Sequence, residues 1–281
     1  MNSLRERILD QVIPLLVFGI TGLVFFPVIH WLTARTVANE QLLHGFLVFL
    51  LTGALLIHER RISIRPALSF STTSQNVLIF SYILLALAIF SRLNLIILAA
   101  LCLSLVAFLL FFFGEEKKRL IVSSVGAFAL FSTLAVTMPL LDWPLRSVAG
   151  QCTVYGLNLI GQSARLGLYE GGAEPMLMLL YHDRPFHVAA ECNGFGMLTS
   201  SLLMASILLL YRKLSWSGRL LRLAGALLFG LLANTFRIVL IVLIAPHIDD
   251  GQYILMHEAV GLATTYGGLA VLYFLLMPRR A

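Results

Sequence analysis

The sequence predicts an all-α integral membrane protein with about eight transmembrane helices, an outer interfacial amphipathic helix and a small β-hairpin before the sixth helix. Three observations carry this prediction. Apolar windows of about 20 residues, long enough to cross a hydrocarbon core, recur along the chain. Charged residues make up only 12%, against about 25% in soluble domains, and the mean hydropathy is +0.91. Basic residues also fall into alternating loops with a strong bias, as expected where Lys and Arg hold short loops in the cytoplasm.

The apolar windows place helices at roughly 12–32, 42–58, 76–91, 93–113, 119–141, 193–211, 220–245 and 256–277. The basic N-terminal "MNSLRERILDQ" runs into the first window without a small-residue cleavage site, so that helix is expected to be retained. Counting along alternate sides puts fourteen Lys and Arg on the side of both termini and five on the other, with Arg237 inside a helix. Both termini are therefore expected in the cytoplasm. The long outward segment 142–192 breaks the pattern of short loops. In its first half Gln151, Asn158, Gln162 and Arg165 lie at helical spacing opposite Val148, Cys152, Tyr155 and Leu159, which reads as an amphipathic helix in the outer interface. Its second half has two apolar runs around the turn signal "HDRP", which reads as a β-hairpin. With no internal repeat and no second domain in view, residues 1–281 are expected to form a single polytopic membrane domain.

Composition excludes several functions. A net charge of +6 is accounted for by loop placement, so no nucleic-acid partner is expected. Cys102, Cys152 and Cys192 lack CxxC or Cys/His spacing, so neither a zinc site nor a disulfide framework is expected, and no metal or cofactor is implied. There is no HExxH, Walker A, GxSxG or EF-hand pattern, and "HE" at 257–258 lacks its second histidine.

The unusual residues gather at one depth. Cys192 lies at the outer start of the sixth helix and His257 at the outer start of the eighth. His44 begins the second helix, and Arg237 lies about 12 Å below the outer end of the seventh. Taken alone, a free cysteine is more often a small buried apolar residue. At a helix N-terminus, however, the dipole and a nearby cation lower a thiol pKa, while Glu191 beside it would act the other way. A lone His257 reads first as an interfacial polar residue, yet Gly261, Thr264 and Gly268 share its face and allow close helix approach. An arginine at a helix centre costs about 2.5–3.5 kcal/mol, and Asn234, one turn before Arg237, favours a polar interior over snorkelling. Thiol, imidazole and guanidinium together point to covalent acyl transfer. The rival readings are a transporter with Arg237, His44 and His257 lining a pathway, and a non-catalytic envelope-assembly scaffold. The inverted repeats and paired broken helices of many transporters are not seen here.

The motifs "ECNGFGML" (191–198), "NTFRIVLIV" (234–242) and "HEAVGLATTYG" (257–267), with "HGFLV" (44–48) after the first helix, resemble the exosortase/archaeosortase family. The resemblance covers roughly residues 40–270, and "CNG" departs from the "CSG" of many members. It implies a membrane cysteine transpeptidase with Cys192 as nucleophile, Arg237 on the oxyanion and His257 as general acid/base. His44, Glu191, Asn193 and Asn234 are then candidates for supporting roles. The implied partners are secreted proteins with a C-terminal motif, a transmembrane helix and a basic tail, and a lipid or glycan acceptor. The implied location is the cell (inner) membrane, with the active site on the extracytoplasmic face. Hydrolysis and transfer share this chemistry, and the residues leave the choice open.

Overall fold

The computed structural model describes residues 2–63, 65–169, 176–182, 184–188, 192–212 and 214–277, with side chains from Val12 onward, Asp250 excepted. The helices are α1 (Asn2–Ala38), α2 (Glu40–Glu59), α3 (Thr72–Ser91), α4 (Asn94–Phe113), α5 (Lys118–Leu159), α6 (Phe195–Tyr211), α7 (Trp216–Ile244) and α8 (Asp250–Leu276). Three strands, β1 (Ala164–Tyr169), β2 (Met176–Tyr181) and β3 (Arg184–His187), lie between α5 and α6. Among the described residues, seven helical segments are long and apolar enough to cross a membrane. The remaining helix, α6, has 17 residues, the short end of the range of about 17–25 for a span. Large apolar side chains face outward, Phe90 with 89% of its surface exposed. A surface of this kind calls for lipid as its solvent.

The helices α2, α3, α7 and α8 begin two to six residues before the predicted windows, because a hydropathy window finds the apolar stretch and not the first hydrogen-bonded turn. That turn is set by capping. Asn39 accepts from Leu42 N at 3.0 Å and Ser71 from Ser74 N at 3.2 Å. Ser215 accepts from Gly218 N at 3.3 Å, so α2, α3 and α7 each start behind an oxygen cap.

The chain forms two compact units, Met1–Ala135 with Ser206–Lys213 and Val136–Ala205 with Leu214–Ala281. In the first, α3 and α4 form a hairpin closed by Arg92 in the left-handed region (φ 56°). Two hydroxyls bridge it, Ser74 Oγ to Ala107 O at 2.8 Å and Ser81 Oγ to Ala100 O at 2.7 Å. Phe18 of α1 packs on Phe70, Phe108 and Phe111. Arg35 Nε donates to the carbonyl of Ala135 at 2.8 Å. The partner has a local cause: residue 139 is a proline inside α5, so Ala135 lacks the N–H that would close its helical bond. Arg35 fills the gap, as an apolar medium requires of any exposed backbone acceptor.

In the second unit α5 runs on to Leu159. Its 42 residues extend about 63 Å, roughly twice the thickness of a hydrocarbon core. The amphipathic stretch predicted as a separate interfacial helix is thus the continuation of α5 through Pro139 and Pro144. The helix stops where Gly161 takes φ +78°, and residues from Ala164 turn into β1, a strand that takes over the end of the predicted amphipathic stretch. The predicted hairpin is β2–β3, with His182 in its turn, and β1 makes it a three-stranded antiparallel sheet of order β1-β2-β3. Asn158 fastens helix to sheet, accepting from Ala164 N at 3.1 Å and donating to Ala164 O at 3.3 Å. Leu177, Leu179, Tyr181 and Val188 form a core with Ala149 and Leu157 of α5 and Ile238 and Val242 of α7, and Cys192 belongs to it. Unpaired strand edges are not tolerated against lipid, so this sheet is expected to lie at or beyond the interface.

The pairing of Arg35 with a proline-orphaned carbonyl is testable in a double-mutant cycle. Arg35→Ala should cost about 1–3 kcal/mol in the wild-type background, read as a lower thermal midpoint in detergent. In a Pro139→Ala background, where the substituted residue supplies the missing N–H, the same change should cost at least about 1 kcal/mol less.

Candidate active site

The site is assembled in the second unit from the turn before α6, from α7 and α8, and from β3. Cys192 opens the turn and is 8% exposed. Asn193 and Gly194 shape the entry into α6. The Asn193 Oδ1 accepts from Phe195 N at 2.7 Å, and its Nδ2 donates to Asp142 Oδ1 of α5 at 2.6 Å. Asp142 is also paired with Arg146 one turn along. The side chain therefore satisfies an orphan N–H of α6 and ties the turn to α5. Gly194 has φ +81°, and a methyl group added there would lie 2.7 Å from Asn234 Nδ2. Both facts demand glycine. Asn234 in turn donates from Nδ2 to the Cys192 carbonyl at 3.2 Å. The cysteine backbone is thus held from α7 and its successor from α5.

Arg237 lies one turn along α7 from Asn234. The guanidinium packs on Gly261 of α8, where an added Cβ would stand 3.1 Å from one terminal nitrogen. Its Nε is buried and has no hydrogen-bond partner among the described residues. Gly261 is one turn beyond His257, whose ring centre lies 5.9 Å from that of Tyr253. The helices α7 and α8 are joined by the short connection Ala245–Asp249, and Arg237 and His257 each lie seven residues inside the helix end that meets it. Both residues thus lie about 10 Å along their helices from that connection. His257 is two turns inside its helix and not at its start, because α8 begins at Asp250.

Cys192 and His257 line a common cavity of about 720 Å³ together with Tyr253, Ile254 and Glu258 of α8, Ala245, and Arg184, Pro185, Phe186 and His187 of β3. A smaller void of about 30 Å³ behind them is lined by Leu179, Val188, Ile238, Ile241 and Val242 as well as by Cys192. Cys192 thus lines the cavity and also belongs to the apolar core behind it. Cys102, Cys152 and Cys192 form no disulfide with one another.

The structure brings Cys192, Asn193, Asn234, Arg237 and His257 into the second unit, where each is tied to the α6–α8 assembly by the contacts above. His44 lies in α2, in the other unit. Glu191 lies outside the described residues. Sequence reasoning missed Asp142, Arg146, Tyr253 and the β3 residues. Tyr253 had one signal, its place one helical turn before His257. Asp142 and Asn193 are fifty-one positions apart and carried none.

A polytopic helical membrane protein with a thiol and an imidazole on one cavity is the class that this fold and site define; Arg237 does not line that cavity and reaches it only through its packing on Gly261, one turn from His257. A family model described as transmembrane exosortase matches residues 15–276, nearly the whole chain. The chain belongs to that family, whose members are membrane sorting enzymes. No curated protein and no solved structure matches it.

The packing of Gly194 on Asn234 predicts a contrast between two glycines. Gly194→Ala adds a clash to backbone strain and should cost about 2–5 kcal/mol in thermal unfolding in detergent. Gly161 shares the positive φ but has open space around it, so Gly161→Ala should cost only about 1–2 kcal/mol.

Proposed function

We propose that the chain is a cysteine peptidase and transpeptidase that cuts C-terminal sorting signals from secreted proteins on the extracytoplasmic face of the cell membrane. The observation that carries this reading is the cavity of about 720 Å³ that Cys192 and His257 both line. In the proposed cycle the Cys192 thiol gives its proton to His257, and the thiolate adds to the carbonyl carbon of the scissile peptide bond. The carbonyl oxygen becomes an oxyanion, stabilised by the fixed positive charge of Arg237. The Nε of that side chain, which has no hydrogen-bond partner among the described residues, supports the role. Collapse of the intermediate breaks the C–N bond. The leaving amine, attached to the membrane helix and tail of the substrate, takes the proton from His257, and the new C-terminus stays on Cys192 as a thioester. An amine or hydroxyl of a lipid or glycan acceptor then attacks the thioester and gives its proton to His257, the C–S bond breaks, and the departing thiolate takes that proton back to restore the thiol. Water in the same place gives hydrolysis.

Asn234 and Asn193 act as positioning residues, one on the Cys192 carbonyl and the other on the turn after it. Glu191, next to Cys192 in the chain, remains a candidate for a supporting role, as the family resemblance implies. The orientation rests on the bias of fourteen to five in basic residues, with α6 as the eighth crossing. The connection Ala245–Asp249 contains no Lys or Arg, as suits an outer turn.

The test is processing of a tail-anchored reporter in cells. Cys192→Ala, present in the membrane at the wild-type level, should lower the rate by more than about 1,000-fold. His257→Ala should lower it by about 10²–10⁴-fold and Arg237→Ala by about 10²–10³-fold. Processing by Cys192→Ala at the wild-type rate would sink the reading and leave a transporter or scaffold in its place.

A further inference from the structure

Four residues separate the end of the strand β3 from Cys192, and β3 forms one wall of the cavity. It is the edge of the sheet, paired only through β2. Its hydrogen-bond phase is set by one bond, Val188 N to Leu177 O at 2.9 Å. In an antiparallel pair, bonded and non-bonded residue pairs alternate. With Met178 opposite His187 and Leu180 opposite Pro185, the inward-bonded residues of β3 are Arg184, Phe186 and Val188. The main-chain groups of Pro185 and His187 point to the other side, away from β2 and without a backbone partner among the described residues.

The amino acids agree with that phase. Proline has no N–H, so it fits a strand only where the N–H would face outward. Pro185 occupies such a position. The outer edge therefore offers one donor, His187 N–H, and two acceptors, the carbonyls of Pro185 and His187. Both residues are exposed, while Phe186 between them packs on the core of the second unit. An exposed edge of this kind is a liability unless something pairs with it, and natural sheets cover or charge their edges.

We infer that the substrate's cleavage segment binds in extended form as a fourth strand on the outer edge of β3, through the His187 N–H and the Pro185 and His187 carbonyls. The inference rests on the reading of Cys192 as the nucleophile and adds to it how the peptide is held. Strand addition takes most of its affinity from main-chain bonds, and takes sequence preference from alternate side chains. One face of the added strand would look into the cavity that holds Cys192 and His257. It also gives the cavity a reason to be walled by a sheet edge in a protein otherwise built of helices.

The experiment uses the full-length enzyme in detergent and a tail-anchored secreted protein that the wild-type chain cuts in cells. His187→Pro removes the one outward donor and keeps a residue type that the neighbouring outward position already accepts. His187→Ala removes the imidazole and keeps the N–H. The expected result is a KM raised about 5–10-fold for His187→Pro relative to His187→Ala, the cost of one main-chain bond, with kcat changed less than about 2-fold. A proline scan of the substrate's segment before the cut should impair processing at every second position, whatever the folding of the enzyme variant. Equal KM for the two variants, together with a scan lacking period two, would overturn strand addition while leaving wild-type processing intact. Wild-type processing that persists in Cys192→Ala would instead overturn the reading beneath it.

Discussion

The hydrogen bond from Asn234 Nδ2 to the carbonyl of Cys192 is the constraint on which the rest of the site depends. The turn Cys192–Gly194 must lead into α6, which starts at Phe195. It does so by placing Gly194 at positive φ directly against Asn234. The same asparagine thus fixes the cysteine from one side and dictates glycine on the other. Asn193 completes the turn by capping Phe195 and reaching Asp142 of α5. Cys192 is held by its main chain, from α7 directly and from α5 through its neighbour.

The surroundings reflect what an apolar medium permits. Every exposed backbone group and every charge within the membrane needs a partner. Arg35 answers the carbonyl that Pro139 leaves open, and serines bridge α3 to α4. Small residues let charge in where it is needed. Gly261 makes room for the Arg237 guanidinium, and Gly268 lets α8 approach Ala233 and Phe229 of α7. Gly230 does the same for α7 against Leu198 of α6. Glycine spacing and the placement of Arg237 go together, because close helix packing leaves a slot where the side chain is absent.

Much of the fold was legible because lipid makes apolar length a direct signal. The helices and the hairpin at β2–β3 could be read from runs and spacing. What escaped was set by hydrogen bonds and not by hydropathy. The continuation of α5 to Leu159 passes two prolines and a polar stripe, which look like a break when only apolar character is counted. The strand β1 is six residues long and gains its identity from pairing with β2, a long-range effect. At the site, the cysteine, arginine and histidine stood out as costly or reactive residues in an apolar chain. Asn193 stood out only as a neighbour, and its bond to Asp142 depends on the path of α5. Tyr253 and β3 entered the cavity through helix phase and strand edge, which a single sequence encodes weakly.

The central claim is that Cys192 carries the acyl group, and mass spectrometry of the purified enzyme tests it most directly. Incubated with a substrate that it processes in cells, the wild-type protein should yield a hydroxylamine-sensitive adduct on the peptide containing Cys192, and His257→Ala should alter its accumulation. A Cys192 that stays unmodified through turnover of that substrate, and resists an outer-face thiol reagent, would contradict the account.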